Sequence, residues 1–253
     1  MSERKRESNP PLPDTGERMI PTLQGEISVV FARHALTYEY ALKYVEGRTV
    51  LDAGCGTGYG SNMLASRARS VRAIDLSAEA IDYCRTHYAA PNLDFIRMDV
   101  TRLGFRRAFD VAVSFQVIEH LPDLDAFLNS LKETVLPGGM ILLATPNVGT
   151  PRTGDAANPF HCNEMSYDAL HTLLSRHFSS FRILGIGHAQ PNAARSFIYR
   201  SPLYKLGKLL RRGSLVKKLA NKTLALTSFR VISEKVAEEA MDLIAVCSNG
   251  EES

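Results

Sequence analysis

Three carboxylates, Asp52, Asp75 and Asp99, each stand where a short aliphatic run gives way to a turn, and the first is followed at once by Gly54, Gly56 and Gly58. Glycines at this spacing let a backbone turn tightly and approach a ligand closely, and the helix that follows offers its N-terminus to an anionic group. A GxGxG loop by itself also suits a dinucleotide. A carboxylate directly before the glycines would face a pyrophosphate unfavourably, however, and it suits an ammonium group. Asp75 lies 23 residues after Asp52, a position from which an acid can accept hydrogen bonds from ribose hydroxyls. Asp99 closes the run FIRMDV as a third acid at the same edge. Singly, each aspartate also fits a helix cap or a solvated loop acid, and the glycines a structural turn. Three acids at three successive strand ends beside a glycine loop are harder to read as caps and mark a ligand crevice.

Two histidines supply proton chemistry. His120 follows Glu119 after the fourth aliphatic run, and His161 ends the segment Asn158-Pro159-Phe160-His161 after the fifth. Imidazole titrates near neutrality, so either could take a proton from an acceptor or orient it. His161 is the first choice and His120 the second. The alternatives are that the Glu119–His120 turn caps the next helix and that His161 pins its own loop.

The elements that must hold these residues alternate. Aliphatic or β-branched runs occur at 49–53, 71–74, 93–96, 111–115 and 141–144, and helical patterns fill 59–67, 77–88 and 123–135. Helices between strands imply parallel crossovers. A helical stretch at 26–45 leads in; a helix at 166–177 and strands at 181–187 and 242–247 follow. The expected fold is α/β: a Rossmann-like, doubly wound, seven-stranded, mostly parallel sheet with a helical insertion before the last strand. Residues 1–47 read as an N-terminal tail and helical cap, 48–253 as one domain, and 189–240 as its basic helical insertion.

The ordered segments VLDAGCGTGYG, AIDLS, FIRMDV, FDVAVSFQVIEHLPD and LPGGMILLATPN, continuous over about 48–148, resemble the motifs of the class I S-adenosylmethionine-dependent methyltransferases. The resemblance implies methyl transfer from S-adenosylmethionine, leaving S-adenosylhomocysteine. It implies that Asp52 and the loop of Gly54, Cys55, Gly56 and Gly58 bind the methionine moiety and Asp75 the ribose. It further implies that Asp99, with Val100 beside it, takes the adenine amino group, that Leu76 and Met98 flank the ring, and that Gln116 lies near the methionine end. Some small-molecule O-methyltransferases of this class bind a divalent ion through an ExxEH cluster; here Gln116 replaces the first glutamate, and a metal-free site is expected. GERMIP, RHALTYEYALKYVEG and NPFHCNEMSYDAL are similar to bacterial methyltransferases found with glycan and cell-envelope enzymes. A saccharide or other small-molecule acceptor methylated on oxygen is the resulting expectation. A quinone or polyketide-like acceptor is the alternative, and an inactive cofactor-binding scaffold a reading of another class.

Composition narrows the partners. At 253 residues the chain can bury one sizeable α/β core. Cys55, Cys84, Cys162 and Cys247 are too scattered for a zinc motif or a disulfide framework and read as free thiols. With no span of ~18 apolar residues and no leader pattern, a cytoplasmic protein is expected. Between Asp168 and Glu234 there are twelve Lys or Arg and no acid, so out of a net +3 the remainder carries −9. Within 201–219, leucines interleave with these cations. That pattern fits an amphipathic lid, peripheral attachment to the inner membrane face, or attraction of a phosphate-bearing acceptor. Nucleic acid is not expected: the fourth-strand motif SFQVIEH lacks the [DN]PPY box used on flipped bases.

Overall fold

A computed structural model of the protein describes residues 29–148, 160–188, 229–233, 237 and 239–250. Helix α1 (Val29–Val45) precedes strand β1 (Thr49–Ala53), followed by α2 (Tyr59–Ala65), β2 (Ser70–Asp75), α3 (Ala78–His87) and β3 (Leu93–Arg97). After β4 (Phe109–Phe115) come a single 3-10 turn (Ile118–His120), α4 (Leu124–Thr134), β5 (Val135–Pro146), α5 (Tyr167–His177), β6 (Phe181–His188), β7 (Phe229–Ile232) and β8 (Asp242–Ser248). One sheet runs in the order β3-β2-β1-β4-β5-β8-β6-β7. The five strands from β3 to β5 are parallel neighbours, and β8 is antiparallel to both β5 and β6.

Alternation along β1 explains the two faces. Val50 points into a core with Tyr38, Ala41 and Val45 of α1, Leu64 of α2 and Ile81 of α3. Leu51 points into the opposite core, with Phe127, Leu128 and Leu131 of α4 and Leu170, Leu173 and Leu174 of α5. Sheet strands covered on both faces read as continuous apolar runs, as β1 and β4 do. Three helices start on side-chain caps: Ser77 accepts from the Ala80 N–H, Asp123 from Ala126 and Ser166 from Ala169. Each cap contributes about 1 kcal/mol.

Among the described residues the sheet has eight strands where seven were expected. The additional one, β7, falls inside the stretch read as helical insertion and pairs antiparallel with β6, from Gly185 opposite Ile232 to His188 opposite Phe229. Four β-compatible residues, Phe-Arg-Val-Ile, complete the edge of β6 that would otherwise be open. The helical reading of 189–228 lies outside the described residues. Strand β5 also begins earlier than expected, because the Leu136–Gly139 segment is carried as an irregularity in its pairing with β4.

Strand order reverses between β1 and β4, so the crevice at their carboxyl ends is where this fold places a ligand. Asp52, Asp75, Gln116 and the Glu119–His120 turn all lie at that end.

Candidate active site

Beneath the glycine loop sits a polar knot. Asp52 is fully buried, and its carboxylate accepts hydrogen bonds from Ser61 Oγ at 2.6 Å and from the Tyr38 hydroxyl at 3.3 Å. Burial pushes the Asp52 carboxyl up to about 7, against the opposing pull of those two donors. These bonds tie α1 and α2 to the end of β1. Tyr38 is 1% exposed and packs edge-on to Phe115. Its ring lies against the first turn of α2 so closely that a Cβ on Gly60 would come within 2.1 Å of it. Next to it the Tyr59 hydroxyl pairs with His34 Nδ1 at 2.5 Å, and burial lowers His34 to about 4, leaving it neutral at physiological pH. Tyr38 and Ser61 escaped the sequence reading as partners of Asp52, and Tyr59 as the partner of His34, since nothing in their spacing marks these pairs.

The loop itself hangs on β2. Gly54 N–H and Cys55 N–H both donate to the Ile74 carbonyl at 2.8 Å. Gly56 N–H donates to Asp75 Oδ2 and Ser77 N–H to Asp75 Oδ1, each at 2.9 Å. Asp75 is therefore both the loop's anchor and a remaining acceptor, because each carboxylate oxygen keeps a second lone pair. Gly56 has φ +54°, a left-handed conformation that favours glycine, and a Cβ there would enter open space. Gly54 and Gly58 share the positive φ. Cys55 is buried.

Leu76, just past Asp75, is 64% exposed, an unusual setting for a leucine and a ready wall for an apolar ring. Met98 is half-buried, and its N–H donates to the Asp75 carbonyl. Asp99 accepts from the Thr101 N–H and hydroxyl, both at 2.8 Å, which hold its carboxyl below the usual range; Val100 is buried behind it. Gln116 has φ +57°, and its N–H donates to the Ala144 carbonyl. Such a conformation costs a non-glycine residue ~1–3 kcal/mol, and it lets the chain leave β4 sharply toward the 3-10 turn.

Across the crevice the two loops with histidines are stapled together. Cys162 and Asn163 N–H groups donate to the Glu119 carbonyl at 2.9 and 3.0 Å, and Asn163 Nδ2 donates to the Leu121 carbonyl. His120 and His161 meet edge-to-face with ring centroids 4.9 Å apart. Glu119 is buried at their side, with Thr145 Oγ1 donating to its Oε2 at 3.2 Å. His161 Nδ1 bonds Glu164 Oε1 at 3.0 Å, and His120 Nδ1 the Phe160 carbonyl at 3.1 Å. Residues separated by about forty positions in sequence thus form one cluster. The sequence reading had set the histidines apart as rivals; Glu164 and Thr145 it did not find.

Residues 51–143 match the profile of the family described as a methyltransferase domain. A probable S-adenosylmethionine-dependent methyltransferase of Mycolicibacterium smegmatis is 38% identical over 181 residues, covering 70% of this chain and 69% of the relative. A similarly described Mycobacterium tuberculosis protein is 37% identical over 163 residues, and there the match spans 58% of the relative's length. A ubiquinone biosynthesis O-methyltransferase of Rhizobium johnstonii is 36% identical over 106 residues, 41% of this chain and 43% of that protein. Among solved structures, an S-adenosylmethionine-dependent methyltransferase from Mesorhizobium loti superposes with a TM-score of 0.54 at 18% identity, covering 84% of this chain and 97% of that one. The open cradle at Gly56, the exposed Leu76 and the free lone pairs of Asp75 fit the methyl donor that these proteins' descriptions name. The chain belongs to the S-adenosylmethionine-dependent methyltransferases, with their Rossmann-like fold.

Proposed function

We propose that the enzyme methylates an oxygen of a saccharide or other small acceptor, which docks against Glu119, His120 and His161. S-adenosylmethionine supplies an already activated methyl group, so the protein's work is alignment, exclusion of water and disposal of the acceptor's proton. The observation that carries the reading is the meeting of His120 and His161 beside a buried glutamate at the crevice. A hydroxyl must lose its proton as it is methylated, and two imidazoles beside a carboxylate can take it. His161 is the first candidate to receive it and His120 the second. Phe160, 59% exposed on the same loop, offers a flat face to a ring.

On the donor side, Asp75 accepts from the ribose hydroxyls and Asp99 from the adenine amino group, with Leu76 and Met98 on either face of the ring and Val100 behind. The loop Gly54–Gly58, with Cys55, and Gln116 border the methionine end. Asp52, being buried, serves that end from beneath by fixing the loop. The relative that acts in ubiquinone biosynthesis favours a second reading, in which the acceptor is a quinone-type hydroxyl.

Incubating the purified protein with labelled S-adenosylmethionine and fractionated envelope saccharides or hydroxylated quinone precursors separates the two. Mass spectrometry of the product should show one added methyl on an oxygen, and label on nitrogen or carbon alone would refute the proposal. Asp75→Ala should weaken cofactor binding by about 1–3 kcal/mol, since hydrogen bonds to a charged group are lost; calorimetry showing unchanged affinity would refute the ribose assignment.

A further inference from the structure

Among the described residues, Glu119, His120 and His161 each offer a ligand atom, and these atoms lie within 4.8 Å of one another. The sequence reading expected no metal because Gln116 stands where a first carboxylate would. The fold supplies a third donor from elsewhere: His161, delivered by the loop after β5. The geometry points to a binding site for a divalent transition-metal ion of the zinc class, held by Glu119, His120 and His161.

Three features of the cluster support this beyond proximity. Both imidazoles spend Nδ1 on an oxygen that can only accept: the Phe160 carbonyl for His120 and the Glu164 carboxylate for His161. Nδ1 is therefore the donor in each bond, the outer-partner arrangement that metal-ligating histidines adopt. Glu119 is 1% exposed, and Thr145 Oγ1 donates to its Oε2, so its carboxyl group is held in a fixed place beside the two imidazoles. The two loops are also fixed to each other through the Glu119 carbonyl, independently of any ion. Ligands ~2.0–2.2 Å from zinc lie ~3–4 Å apart, so side-chain rotations drawing the three in by about an ångström complete the set. Two imidazoles and one carboxylate suit zinc, cobalt or manganese better than calcium or magnesium, which prefer all-oxygen shells. A three-residue set leaves a position open.

This inference rests on the proposed oxygen acceptor for its role in the reaction. An ion there would lower the pKa of an acceptor hydroxyl at the open position, so that its proton passes to solvent rather than to His161. The O–CH3 bond then forms as the S–CH3 bond breaks, the electron pair staying on sulfur.

The test uses the full chain, stripped with EDTA and titrated with Zn2+ alone by calorimetry. One ion per chain is expected. Glu119 is buried and its replacement risks the fold, so the variants are His161→Ala and His120→Ala, checked for folding by circular dichroism. Each should weaken binding at least about tenfold, the loss that even outer partners of a ligand cause; His171→Ala, on α5, should not. A visible d–d band on cobalt loading, absent in His161→Ala, gives a second readout. Failure of zinc, cobalt and manganese to bind saturably, or equal affinity in wild type and both variants, overturns the site. Methylation of a hydroxyl that persists in EDTA refutes the ion's role and leaves the proposed reaction standing. Zinc bound at the cluster with no hydroxyl methylated does the reverse.

Discussion

Asp52 sits directly before the glycines, and the fold buries it under Tyr38 and Ser61. Its carboxyl is raised from 3.8 to about 7, so the folded state holds the proton more tightly than the unfolded chain does. The stability from this group is full below about pH 4 and is lost as pH rises through about 7. Asp52→Asn removes that slope: between pH 4 and 7, denaturant unfolding of the wild type should weaken relative to the variant by on the order of a few kcal/mol. Parallel profiles would show that burial does not hold the proton there. The acids were legible because strand ends and turn residues mark them. Which of them faces the crevice was not, because that depends on Tyr38, fourteen residues upstream, and Ser61, nine downstream, on two different helices. The histidine cluster was hidden for the same reason: each half was visible, but the hydrogen bonds from Cys162 and Asn163 that join them are tertiary.

At the level of elements, hydrophobic periodicity located each of the first five strands and the helices between them. Of those strands, β1 and β4 are buried along nearly their whole length, which gives them continuous apolar runs. Strand β7 was missed because four residues within a long basic stretch carry too little periodicity, and its strand character comes from the open edge of β6. Helices α1 and α2 meet closely where Tyr38 lies over Gly60. Gly60→Ala should destabilise the protein by about 1–3 kcal/mol through overpacking, as read from the denaturation midpoint. Adding Tyr38→Leu should recover part of that loss, and strict additivity of the two changes would show that the contact is not the cause.

Over the whole molecule, charge is segregated: twelve cations and no acid lie between Asp168 and Glu234, against −9 elsewhere. No helix among the described residues is long and apolar enough to cross a membrane. Attraction to anionic surfaces is the expected consequence of the basic stretch. The protein should float with anionic vesicles at low salt and release at high salt; no flotation at low salt would rule this out. The place of β8 between β5 and β6 has a different kind of consequence. On the ribosome, β6 is complete long before its neighbour exists, because the chain from His188 to Asp242 must first be made. At ~5–20 residues per second that interval lasts several seconds. Throughout it the edge of β5 that will receive β8 stays unpaired, as does the facing edge of β6, and the gap closes only when β8 slots in as a wedge. Assembly of this enzyme is therefore timed by translation, with the catalytic half of the sheet able to form first and the far edge joining it last.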